Sequence, residues 1–310
     1  MEHYKLLADC YENIRRYVDY VDRTSPTGLT SWGRGDWVPV KSHSSKELTS
    51  SVYFYVDTKI LANAAKMFNK TEDYKYYSAL ANKIKNAIND KFLNRETGIY
   101  GSGVQTEQSV PLQWGIVPEE LKRKVARNLA KQVEAAGFHL DVGVLGAKAI
   151  LNALSENGEA ETAYKLAAQD TYPSWGCWIA NGATTLLENW DLNATRDISD
   201  NHMMFGEIGG WFYKGLGGIF PDPENPGFKH ILLRPNFPSG LNEFEARYQS
   251  PYGEICSKWE RKKNRIFYHV TVPANSTATF YAPDNVKGER AVNLEAGEHI
   301  LELLLLRSSK

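Results

Sequence analysis

The stretch Pro173-Ser174-Trp175-Gly176-Cys177-Trp178-Ile179, continued by Gly182-Ala183-Thr184-Thr185-Leu186-Leu187-Glu188-Asn189-Trp190 and by Asp200-Asn201-His202-Met203-Met204-Phe205-Gly206-Glu207, sets how the rest of the chain reads. With Trp211 just beyond, it holds four of the eight tryptophans, an acid flanked by apolar and aromatic residues, and a histidine placed to open the next helix. A carboxylate between Leu187 and Trp190 is poorly solvated if it points inward, which makes its pKa tunable. Indole faces beside a carboxylic acid suit a sugar, because the C–H face of the ring stacks on the indole while the acid handles protons. The same residues also read as a buried helix end carrying a surface glutamate.

Upstream, apolar residues recur at helical spacing. Residues 3–23 place Tyr4, Leu7, Tyr11, Ile14, Val18 and Val21 on one face. A second helix is expected over 46–68, with Val52, Val56, Ile60, Ala64 and Met67 inward. A third covers 72–92, with Thr71 and Asp73 at a capped start. A short helix ends near Gly115, and others follow at about 119–136, 142–154, 159–169 and 203–218. The junctions alternate. Those at 24–45, 93–106, 137–141 and 171–175 carry Asp, Trp, His, Gln and Thr, whereas those near 69–71, 116–118 and 155–158 are short and chemically plain. In an up-down array of helices, alternate connections lie at the same end. The chemistry-bearing loops should share one mouth, as in an α/α toroid. About nine helices are legible, against the twelve of a closed six-hairpin ring.

After Pro221-Asp222-Pro223-Glu224-Asn225-Pro226-Gly227 the period changes. Short β-rich runs at 229–234, 243–249, 254–260, 265–272, 277–281 and 299–305 are separated by turn residues. They read as an antiparallel β-sandwich over 223–310, following a helical region over 1–222.

Composition narrows the partner. Among 310 residues the formal net charge is −1, which gives no electrostatic footprint for nucleic acid or an anionic membrane. Aromatic residues make up 12%, including 17 Tyr, which favours a pocket for something uncharged. Cys10, Cys177 and Cys256 form neither a metal spacing nor a disulfide framework. No metal is expected, since no His/Cys/Asp spacing supports one, and no cofactor, since no Gly-rich phosphate loop follows a strand. No apolar run is long enough to span a membrane. Free cysteines and a charged start unlike a signal peptide favour the cytoplasm. The triplets at Asn69, Asn193 and Asn275 carry little weight.

The ordered set Gly35-Asp36-Trp37, Val104-Gln105-Thr106, His139-Leu140-Asp141-Val142-Gly143, Pro173-Ser174-Trp175-Gly176, Gly182-Ala183-Thr184-Thr185 with Glu188 and Trp190, and Asn201-His202 leading to Phe205-Gly206 and Trp211 resembles the catalytic domain of the bacterial α-L-rhamnosidases of glycoside hydrolase family seventy-eight. The tail, with Arg234-Pro235, Tyr252-Gly253 and Trp259, resembles the C-terminal β-sandwich of that family. The resemblance covers nearly the whole chain. It implies a mainly α fold, an (α/α)6-type toroid incomplete at its N-terminal side, followed by the sandwich. It also implies hydrolysis of terminal α-L-rhamnosyl bonds with inversion, which needs two carboxyl groups about 6.5–9.5 Å apart. Glu188 would be the catalytic base. Asp36, Trp37, His139, Trp175, Trp190 and His202 would line the sugar site, with a rhamnose-containing glycoside as ligand.

One element of the family pattern is missing. The upstream Asp-Glu-Arg-x-Gly-Trp-x-Gly-Asp type of segment, which carries the general acid, has no counterpart here. Three other expectations therefore stand beside the hydrolase: a carbohydrate-binding remnant without chemistry, a toroid hydrolase for another sugar such as an unsaturated uronide, and self-association through the open side of the toroid. For single residues the alternatives are structural: Asp36 as a cap of its own loop, Asp141 as the N-cap of the helix after it, Trp37 as loop packing, and Trp175 as core.

Overall fold

The computed structural model describes residues 4–306; the expected helix start at His3 lies outside them. The chain forms two compact units, Met1–Ala153 with Asn189–Ile198, and Leu154–Glu188 with Ser199–Lys310.

The helices come as consecutive hairpins. Helix α1 (Lys5–Thr24) precedes α2 (Lys46–Met67), α3 (Thr71–Phe92) precedes α4 (Gln105–Gln113), and α5 (Lys122–Ala135) precedes α6 (Val144–Ser155). Helix α7 (Ala160–Ala167) then precedes α8 (Trp175–Ala180), and α9 (Glu207–Trp211) runs on into a π-helical turn over Phe212–Leu216 that closes the helical series. The loops inside the first two hairpins are long and the α2–α3 and α6–α7 connections are short, as the alternation of junctions predicts, but α4 and α5 are as far apart in sequence as α5 and α6, and α8 and α9 are separated by the long segment 181–206. Two short strands, β1 (Leu93–Asn94) and β2 (Ile99–Tyr100), make the loop before α4 a small antiparallel hairpin.

In the first unit, α1 buries Tyr11, Val18 and Val21, and α3 buries Tyr77, Leu80, Ala81, Ile84 and Ile88. Helix α2 departs from its expected stripe. Ile60 and Met67 are exposed, while Leu48, Val52, Phe54, Leu61 and Ala65 are buried. The reason is that α2 packs against α1, α3 and α4 at once, so burial covers most of its circumference and single-stripe periodicity fails. The capped start of α3 is also corrected. Lys70 occupies the N-cap with no side-chain cap bond, and the Asp73 carboxylate instead accepts the Tyr11 hydroxyl at 2.7 Å.

Asp57 on α2 is an acid without compensation: burial pushes its carboxyl up to about 6. The folded chain therefore holds this proton more tightly than the unfolded chain does. The contribution to stability is present below about pH 4 and is lost as pH rises through about 6. Asp57→Asn should raise the melting temperature at pH 7.5 and leave it nearly unchanged at pH 4; equal shifts at both pH values would refute the assignment.

The C-terminal sheets belong to the second unit. One is four-stranded, in the order β10 (Ala291–Leu294), β8 (Thr277–Tyr281), β4 (His230–Leu233), β3 (Ile219–Pro221). The other is five-stranded, in the order β5 (Glu243–Ser250), β6 (Gly253–Lys262), β7 (Arg265–Val272), β11 (Gly297–Leu305), β9 (Val286–Lys287). The alternation in β7 is the sequence pattern made physical, with Ile266, Tyr268, Val270 and Val272 buried. The sandwich is not wholly antiparallel, because β4 pairs with β8 in parallel. Three strands of the other sheet intervene between them in sequence, so β8 returns by a crossover rather than a hairpin. Strand β3, ahead of residue 222, already hydrogen-bonds β4.

Trp259 anchors this core. It is fully buried, stands edge-on to Phe237 at 5.3 Å, and donates its indole N–H to the Leu216 carbonyl at 3.1 Å. Trp259→Ala should cost about 3–5 kcal/mol, read by chemical denaturation; a loss under 1 kcal/mol would contradict this role.

Candidate functional site

Three of the four chemistry-bearing loops lie in the first unit, and two buried carboxylates and one half-buried one stitch them together. Asp36 is the main stitch. Its Oδ2 accepts the Thr106 hydroxyl at 2.5 Å and the Gly143 N–H at 2.7 Å. Its Oδ1 accepts the N–H groups of Leu145 at 2.7 Å and Gly146 at 3.1 Å. The Val144 N–H donates to the Trp37 carbonyl at 2.9 Å. The first-turn amides of α6, which no residue within that helix can satisfy, are thus capped by a loop more than one hundred positions away. Burial pushes the Asp36 carboxyl up, and these hydrogen bonds oppose that rise.

Two further acids complete the stitching. Glu107 is buried; its Oε1 accepts the Ser45 N–H at 2.7 Å, and its Oε2 accepts the N–H groups of Ser102 and Gly103 and the Ser102 hydroxyl. Asp141 accepts the amides of Lys41 and Ser42 at 3.0 Å and the Ser42 hydroxyl at 2.5 Å. Gln105 clamps the third loop, donating to the His139 carbonyl at 3.1 Å and accepting the Asp141 N–H at 2.9 Å. Gly143 has to be glycine, since a Cβ there would stand 2.3 Å from the Trp37 oxygen.

These contacts correct two expectations. Asp36 does not cap its own loop, and with two donors on each oxygen it presents neither to a sugar. Asp141 is not the N-cap of α6, because its carboxylate is bound to the loop at 41–42. What this arrangement displays outward is Trp37, whose main chain is pinned while its indole is 38% exposed, with the Arg34 guanidinium 5.4 Å from the ring centroid. His139 is half-buried, with Nδ1 3.2 Å from the Ala136 carbonyl. Trp190 is 1% exposed and donates to the Val142 carbonyl at 2.8 Å.

In the second unit, Glu188 lies in an irregular loop, not at a helix end. Its N–H donates to the Ser199 carbonyl at 2.9 Å, and its Oε2 accepts the Ser199 N–H at 3.1 Å. The His202 N–H donates to the Leu186 carbonyl at 2.9 Å, and the Thr185 hydroxyl donates to the Asp200 carbonyl. Segments 185–188 and 199–202 therefore run side by side, and Glu188 and His202 belong to one braced loop. His202 caps a short 3-10 turn over Met203–Phe205, its Nδ1 accepting the Met204 N–H at 3.2 Å. A ring nitrogen that accepts carries no proton, so Nε2–H is the donor of the neutral ring. Trp175 is 5% exposed and donates to the Phe205 carbonyl at 3.0 Å.

The tryptophans of the deciding stretch are therefore core. Trp175, Trp178, Trp190 and Trp211 are all buried, so Trp175 and Trp190 offer no stacking face. Aromatic richness by itself does not mark a sugar site, because an indole N–H finds a buried carbonyl as readily as its ring finds a sugar. Sequence reading missed Glu107 altogether; the only signal was an acid in the first turn of a helix that follows a Gly-rich loop. Among the described residues no group of three or more His, Cys, Asp or Glu could hold a metal ion. No helix among them is long and apolar enough to cross a membrane.

Residues 2–216 match the family model described as the bacterial α-L-rhamnosidase six-hairpin glycosidase domain, and residues 218–297 match the bacterial α-L-rhamnosidase C-terminal domain. An α-L-rhamnosidase of Formosa agariphila is 29% identical over 98% of this chain and 34% of its own length. The solved α-L-rhamnosidase of Dictyoglumus thermophilum superposes with a TM-score of 0.87 at 32% identity, over 96% of this chain and 37% of that one. The Streptomyces avermitilis α-L-rhamnosidase complexed with L-rhamnose gives 0.83 at 27%, over 97% and 30%. The chain thus spans about a third of the length of these relatives. Hairpin helices that follow the six-hairpin pattern, a rhamnosidase-type sandwich after them, and matches along nearly all its residues place the chain in the bacterial α-L-rhamnosidase family, with the α/α-toroid fold of its glycosidase domain.

Proposed function

We propose that this chain carries the base-bearing part of an inverting glycoside hydrolase that removes terminal α-L-rhamnosyl residues. The observation that carries the reading is the state of Glu188: half-buried, with one carboxylate oxygen fixed by a single main-chain amide. Among the described residues the other oxygen accepts no hydrogen bond, and it is the atom that would take a proton from the attacking water. The Ser199 N–H orients the carboxylate. His202 Nε2–H donates to a sugar hydroxyl. Within the first unit, Trp37 offers an apolar face of the kind that suits a rhamnose methyl group, and His139 stands among the same stitched loops.

Asp36 and Trp190 hold loops of the first unit, and Trp175 a loop of the second, rather than touching sugar. The helical catalytic region gives way to the sandwich between residues 216 and 222. The partner is a rhamnose-containing glycoside.

The test follows hydrolysis of an aryl α-L-rhamnoside by NMR. The first product expected is the β anomer of L-rhamnose. Appearance of the α anomer first would overturn the inverting role of Glu188. Binding of rhamnose by calorimetry without turnover would instead favour a sugar-binding protein.

A further inference from the structure

The second unit contains both the loop of Glu188 and His202 and the sandwich, and the end of α9 joins them. The chain is helical without a break from Glu207 to Leu216. A helix end leaves its last carbonyls without a partner of its own, and here the sandwich supplies the donors. The Gly215 carbonyl accepts the Asn236 N–H at 3.2 Å and its Nδ2–H at 2.9 Å. The Leu216 carbonyl accepts the Trp259 indole N–H at 3.1 Å, and the Gly217 carbonyl accepts the Ser257 hydroxyl at 2.6 Å. The Gly218 carbonyl accepts the Arg234 N–H at 2.8 Å. Four consecutive carbonyls are thus gripped by one sandwich, and Ser257 and Trp259 on β6 are fully buried.

That grip fixes a register. The turn before it is π-helical, closed by the Gly217 N–H on the Phe212 carbonyl at 3.0 Å. A π turn holds one residue more than an α turn. Relaxing it to α would rotate the preceding helix by about 100° and shift it by about 1.5 Å against the four donors. At its other end the helix follows Gly206, which directly succeeds the 3-10 turn capped by His202. A Cβ at Gly206 would stand 3.1 Å from Leu186 Cδ1, and the Leu186 carbonyl accepts the His202 N–H. The start of α9 is therefore packed on the segment that ends in Glu188.

We propose that the sandwich positions the base-bearing loop: Ser257, Trp259 and Asn236 hold α9 in its π register, and α9 sets where Glu188 and His202 stand. These three are positioning residues that act through the helix. Their effect on catalysis rests on the reading of Glu188 as the base, whereas the mechanical coupling does not.

The experiment is hydrogen exchange of the full chain, read at the amides of Glu188, Ser199 and His202, which bridge the two sides of the loop. Ser257→Ala, and separately Trp259→Phe, should quicken exchange there by about fivefold or more. Val270→Ala is the control. Val270 is buried in β7 of the same sheet and makes none of the bonds to residues 215–218, so its loss of stability should leave those amides unchanged. In whichever form of the protein turns over, Ser257→Ala should also lower kcat about fivefold, and should cause no further loss in a Glu188→Gln background. Unchanged exchange in Ser257→Ala and Trp259→Phe would overturn the coupling, as would equal quickening in Val270→Ala. Unchanged kcat in Ser257→Ala, where Glu188→Gln alone is impaired, would overturn the positioning role. Quickened exchange in a protein whose Glu188→Gln variant is fully active would support the coupling and instead remove the base assignment.

Discussion

Glu188→Gln is expected to lower hydrolysis of an aryl α-L-rhamnoside by about 10²–10⁴-fold, the usual worth of a positioned general base. The substitution keeps shape and keeps a carbonyl oxygen able to accept the Ser199 N–H, so the braced loop at 185–202 should persist. Circular dichroism and melting temperature should therefore match the wild type. The amide cannot take a proton from water, so the loss should fall on kcat and leave KM nearly unchanged. A Glu188→Gln enzyme that retains more than a tenth of wild-type turnover would remove the base assignment. Because the chain covers about a third of its relatives, the comparison belongs in whichever form of the protein turns over. His202→Ala should differ in kind, raising KM, since a sugar-hydroxyl donor contributes to binding of both ground and transition states.

Asp36→Ala is expected to be the most destabilising single change in the helical region. It removes an acceptor that serves the Thr106 hydroxyl and the amides of Gly143, Leu145 and Gly146 at once. Each buried donor left unmatched costs about 1–3 kcal/mol. Three of the four are main-chain groups that no rotamer change can turn toward another partner. The expected loss is several kcal/mol, accompanied by faster hydrogen exchange at residues 143–146 and by release of the loop that holds Trp37. Asp36→Asn keeps one good acceptor and should cost distinctly less. Should Asp36→Ala melt within a degree or two of wild type, the capping role would be wrong and a role in sugar contact would return. A combined readout separates the two substitutions: Glu188→Gln alters rate without stability, and Asp36→Ala alters stability before rate.

The sequence by itself determined the class of the fold and named the residues on which the chemistry is proposed. Helical periodicity in residues 3–169, the switch to period two after Pro221, and the alternation of rich and plain junctions are local properties, because side-chain spacing follows directly from 3.6 or 2 residues per repeat. They located the helix hairpins and most of the strands to within a few residues, and β7 at Arg265–Val272 without error. Tertiary structure alone decided what each polar or aromatic residue does. Whether Asp36 meets a sugar or the end of α6 depends on a partner more than one hundred residues away, and no local pattern encodes that distance. The same holds for the tryptophans. An indole reads identically in sequence whether it lines a pocket or packs in a core, and only its neighbours remove it from water. Helix α2 shows the point from the other side: three neighbouring helices bury most of its faces, so the stripe that predicted the helix did not predict its inward residues. The parallel pairing of β4 with β8 was likewise invisible, because strand direction is fixed by the path of the intervening chain and not by the residues of either strand.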